Sequence, residues 1–130
     1  MAASLRYTAA LTSARTTMHT DRLRTLALWL ERAVILLALG ALVFRATLYG
    51  LFPRPEGAAY GSGDIIDYAL GLALFLLSGG CAAVGVLLTT RVDAAGKAAS
   101  YRPVLIGMTT FVVYYLVHPH VPTLGASPAP

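Results

Sequence analysis

Along the chain, apolar residues gather into three long runs separated by short polar connections. None of the runs shows the 3.6-residue alternation of apolar and polar positions that a helix facing water needs. Residues 68–90, YALGLALFLLSGGCAAVGVLLTT, carry no charge, with Asp64 and Asp67 before them and Arg91 after. Residues 27–52 form a comparable run, interrupted by Glu31, Arg32 and Arg45. The third, PVLIGMTTFVVYYLV from Pro103, continues to Val121 through HPHVP, where Pro119 either kinks or ends the last turn. Measured against the roughly 20 apolar residues that cross a hydrocarbon core, the pattern predicts an all-α integral membrane protein. Three transmembrane helices, at about 27–52, 65–90 and 103–121, form an up-down-up bundle. A re-entrant third segment is the alternative for the shortest run.

Composition and charge orient that bundle. Of the 130 residues 57% are hydrophobic and 12% charged, against about 25% charged in a soluble domain. Arg6, Arg15, Arg22 and Arg24 precede the first run, and Arg91, Lys97 and Arg102 lie between the second and third, whereas the first connection holds only Arg54 against Glu56. The positive-inside rule then places the N-terminus and second connection in the cytoplasm, and the first connection and C-terminus outside. Residues 1–25 read as a basic, Ser/Thr-rich cytoplasmic tail, with Met18 as an alternative start; 26–121 read as the membrane domain, and 122–130 as a Pro-rich external tail. The net charge of +4 is a topology signal, and no basic patch interleaved with aromatics points to nucleic acid.

Candidate chemistry is sparse. The single cysteine, Cys81, sits mid-run among small residues and reads as a packing residue. Between His19 and His118 there is no histidine, so the chain does not supply two axial ligands to a haem within its bundle. His118 and His120 alone are too few for a metal site and mark where the third span meets headgroups, with Tyr114 and Tyr115 one turn deeper. No nucleophile triad, phosphate loop or carboxylate dyad can be assembled, so neither an enzyme nor a cofactor is expected.

Arg45 is the unusual residue. A rise of 1.5 Å per residue sets its backbone roughly 12 Å from Pro53, at a depth where Asp67, near the start of span two, lies within reach of its side chain. An Arg45–Asp67 ion pair is expected to hold spans one and two in register, with Tyr49 as a further hydrogen-bond partner of Arg45. Asp64 is expected to cap span two. Glu31 and Arg32 read as interface anchors beside Trp29. Small residues dominate the middle of span two, and Ser78/Ala82, Gly79/Ala83 and Cys81/Gly85 form small-xxx-small pairs, with Gly80 beside them. These positions, Gly79, Gly80, Ala83 and Gly85 foremost, are expected to pack helices closely. Because they fall on more than one face, they also suggest a helix from another copy or another chain.

LRTLALWLERAVILLALG followed by LALFLLSGGCAAVGV resembles the YidH-like family of small three-span bacterial inner-membrane proteins, with Arg24, Thr25 and Trp29 as one matching patch and Ser78, Gly79 and Gly80 as the other. The lead-in to the Arg-Thr pair differs, and the loop after the first span is longer. The resemblance implies a bacterial inner-membrane protein acting as an accessory subunit, with no catalytic residue to carry over. The expected function is a structural or accessory component of a homo-oligomeric or larger membrane complex, with the lipid bilayer and other membrane helices as partners. The competing readings are a small channel or transporter subunit that uses Arg32 or Arg45, and the membrane anchor of a redox complex.

Overall fold

The computed structural model describes residues 1–123, and the side chains of all of these except residues 2, 3, 5, 13, 15, 16, 94 and 95. Helix α1 runs Ala2–Val43 and continues through a π-helical turn, Phe44–Leu48, and a 3-10 turn, Tyr49–Leu51. After a connection come α2 (Ser62–Thr89), the short α3 (Ala94–Ser100) and α4 (Arg102–Val117), which ends in a 3-10 turn, His118–His120. No strand occurs among the described residues. Two of the helices, α1 with its continuation and α2, are long and apolar enough to cross a membrane.

Of the segment 1–25, expected as a tail, residues 2–25 are helical in backbone and form the first part of α1. The chain gives no reason for a break there: the first glycine is Gly40, the first proline is Pro53, and Ala, Leu and Arg favour the helix. Of the C-terminal tail, 124–130 lie outside the described residues.

The three long helices pack on one another in alternating directions. On α1 the inward positions are Ala27, Glu31, Val34, Ala38 and Ala41. On α2 they include Asp67, Leu74, Ser78, Cys81, Gly85 and Leu88, and on α4 Pro103, Gly107 and Tyr114. These positions repeat at spacings of three and four, the seam that keeps one face of a helix against a neighbour over several turns. The seam mixes apolar, small and charged residues, so no contrast of polarity marks it. The outward faces remain apolar: Leu36, Val43, Leu76, Val86, Leu105 and Val113 are all exposed.

Glycine permits two close approaches between α2 and α4. A Cβ on Gly107 would stand 2.7 Å from Cys81 Cβ, and one on Gly85 would collide with Val104 Cγ2. Both lie on the α2–α4 contact. Gly79 and Ala83, expected to pack helices, instead face outward, and nothing stands within 4 Å of a Cβ built on Gly79. Gly80 meets only Leu30, at 3.9 Å. The seam passes through 78, 81 and 85, which leaves 79 and 83 on the next face round. The connection before α2 turns at Pro55–Ala58, closed by Ala58 N–H donating to Pro55 O at 3.1 Å, with Gly57 at φ +77° in the position that suits glycine.

Candidate functional site

Polar side chains concentrate at the end of the bundle where α1 gives way to its π turn, α2 begins and α4 ends. Arg45 lies in the π turn, a local widening in which hydrogen bonds run from i to i+5. Its Nη1 donates to Asp67 Oδ2 at 2.7 Å, and both side chains are mostly buried. His118 Nε2 reaches the same carboxylate at 3.0 and 2.9 Å from its two oxygens. A nitrogen lone pair aimed at a carboxylate would be repelled, so Nε2 carries the proton and donates. Arg45 Nη1 is 3.4 Å from that nitrogen, a close approach and not a second donation. One aspartate thus joins the ends of all three long helices. Arg45 Nε is buried with no hydrogen-bond partner among the described residues.

A second cluster lies just beyond. Asp64 accepts from the Tyr49 hydroxyl, from Arg54 Nη2 at 2.9 Å and from Gly61 N–H at 2.8 Å. Gly61, not Asp64, is the N-cap of α2; Asp64 sits in the first turn, reaches back to the cap N–H, and places its negative charge at the positive end of the helix dipole. Its hydrogen bond and its charge hold the Arg54 guanidinium proton more firmly than usual. Tyr49, expected to bond to Arg45, gives its hydroxyl to Asp64 and offers Arg45 its ring, with the guanidinium carbon 5.6 Å from the centroid. The i to i+5 ladder explains the difference, because the π turn changes the angle between residues four apart.

At the opposite end of the bundle Glu31 is buried and forms an ion pair with Arg102, Nη2 to Oε2 3.2 Å, tying α1 to the start of α4. Glu31 therefore faces inward while its neighbour Arg32 and nearby Trp29 are exposed. Neither this pair nor the role of His118 follows from periodicity. Both depend on where α4 lands against the other two helices.

Between α2 and α4, opening beside Asp67 and His118, lies a cleft of about 890 Å³ lined by residues that include Tyr68, Gly71, Phe75, Phe111 and Tyr114. Among the described residues no three side chains of His, Cys, Asp or Glu converge to hold a metal ion. Cys81 is buried as a free thiol against Gly107. The arrangement can bind and orient. Comparison with protein-family models, curated proteins and solved structures finds no match.

Proposed function

We propose that the chain is a three-span membrane protein with a cytoplasmic N-terminus, and that it serves as a structural or accessory subunit of a homo-oligomeric or larger membrane complex. The observation that carries this reading is the distribution of polarity: large apolar side chains are exposed on the outward faces of α1, α2 and α4, while buried charges are paired at the two ends. In water such a surface would aggregate; in lipid it is the surface required. The length of α4 supports a third span. Its 16 residues give about 24 Å and the 3-10 turn about 6 Å more, near the roughly 30 Å of a hydrocarbon core.

The accessory role rests on what the bundle leaves uncovered. Gly79 and Ala83, four residues apart on an outward face, are the kind of small pair that lets a second helix approach closely in lipid. The resemblance to the YidH-like family at Arg24, Thr25, Trp29 and Ser78–Gly80 favours the same role. Light scattering in mild detergent tests it: we expect a particle larger than one chain, and oxidative cross-linking of Gly79→Cys in a Cys81→Ala background to give a dimer when the partner is a second copy. A monodisperse single chain with no cross-link and no bound protein would contradict the proposal. The channel reading finds less support, since Arg45 is engaged by Asp67 and Arg32 lies on the exterior.

A further inference from the structure

Toward its N-terminus α1 runs on past the bundle, and the part that protrudes carries a face of its own. Tyr7, Leu11, Ala14 and Met18 recur at spacings of four, three and four, which stacks them in one stripe along the helix. All four are exposed, Tyr7 at 70%, Leu11 at 56% and Met18 at 67%. Met18 and the outward-facing Leu36 are eighteen residues apart, about five full turns, so the stripe lies on the side of α1 turned away from α2 and α4. The bundle leaves it bare.

A bilayer does not reach it either. At 1.5 Å per residue Met18 stands roughly 14 Å, and Tyr7 roughly 30 Å, along the axis from Ala27, where the first apolar run begins. Headgroups add only about 5–8 Å to each side of the hydrocarbon core. The helix has no glycine or proline before Gly40 at which to fold back onto the membrane surface. Charge separates the remaining occupants. Four arginines stand against the single Asp21 in residues 1–25, and Arg6, Arg22 and Arg24 are exposed. A second copy, inserted in the same direction, would lay its own stripe parallel to this one and bring like charges together. A helix with an apolar seam and acidic flanks complements both the stripe and the arginines.

We infer that the Tyr7–Met18 stripe docks an acidic amphipathic helix of another protein on the cytoplasmic side, with the apolar residues forming the contact and the arginines steering it. The inference rests on the membrane setting proposed above and concerns a different face from that of Gly79 and Ala83.

The test uses the full chain in phosphatidylcholine nanodiscs. The probe is a fluorescein-labelled synthetic helix of three heptads, with leucine at the two seam positions and glutamate flanking them, read by fluorescence anisotropy. Elution of the chain with the discs reports the membrane setting separately, so a failure there and a failure of docking are distinguishable. Saturable binding is expected, weakened about tenfold in Leu11→Ala/Met18→Ala and about three- to tenfold in Arg22→Ala/Arg24→Ala, and unchanged in Gly79→Leu. Both double variants alter exposed side chains outside the bundle, so its fold is kept. No saturable binding, equal binding of a twin peptide with lysine in place of glutamate, or unchanged affinity in Leu11→Ala/Met18→Ala would each overturn the inference. So would a dimer that Leu11→Glu dissolves, which makes a second copy the occupant. Loss of maleimide labelling at Leu11→Cys, in a Cys81→Ala background, when phosphatidylglycerol is added to the discs would overturn it in favour of the membrane surface.

Discussion

Asp64 and Asp67 stand one turn apart on α2 and meet different demands. Asp64 faces an exposed arginine and a backbone N–H at the rim, where solvent screens its charge. Asp67 is buried and must answer a buried guanidinium, with the His118 N–H completing its shell. Substituting Asp67 by Asn leaves Arg45 without a counter-charge, and we expect a loss of about 1–3 kcal/mol, read as a lower unfolding midpoint in detergent. Arg54→Ala is expected to leave that midpoint unchanged within error. The Arg45–Asp67 contact is legible in the sequence, because a lone cation in an apolar run has few partners at its depth and the helical rise gives that depth. His118 is not. Its place depends on how far α4 extends past the turn at Pro119, and the same histidine reads equally well as a headgroup marker.

Helix by helix, the packing uses residues that polarity does not single out. Ala27, Glu31, Val34 and Ala38 form the inner stripe of α1, while the larger Leu36 and Leu39 face outward. In a run apolar on every side the seam is chosen by size and shape, which is why the helices are legible in the sequence and their faces are not. Gly79 and Ala83 satisfy the small-pair rule and yet lie outside the seam. Gly107, a single glycine in α4, forms the tight contact with Cys81. Gly107→Ala is expected to force α2 and α4 apart and to cost about 1–3 kcal/mol in detergent unfolding, whereas Gly79→Ala is expected to have no effect on the single chain. At the other end of the seam Arg102→Ala strands the buried Glu31 carboxylate. We expect a loss of about 1 kcal/mol, largely recovered in the double variant Arg102→Ala/Glu31→Gln, where no unpaired charge remains.

For the whole molecule, one arrangement satisfies both ends at once. Alternating helix directions bring Arg45, Asp67 and His118 to one end and Glu31 with Arg102 to the other. In the three-span arrangement proposed above, the excess of arginine and lysine before α1 and between α2 and α4 assigns the Glu31 end to the inside. Residues 2–25, read from their composition as part of a tail, carry α1 beyond the bundle as a helix on that side. Single cysteines in a Cys81→Ala background, placed at Ser4, Gly57 and Thr123 and labelled in intact cells with a membrane-impermeant maleimide, test the three-span arrangement most directly. The account predicts that Gly57→Cys and Thr123→Cys react from outside and Ser4→Cys only after lysis; labelling of Thr123→Cys only after lysis, together with Ser4→Cys, would contradict it.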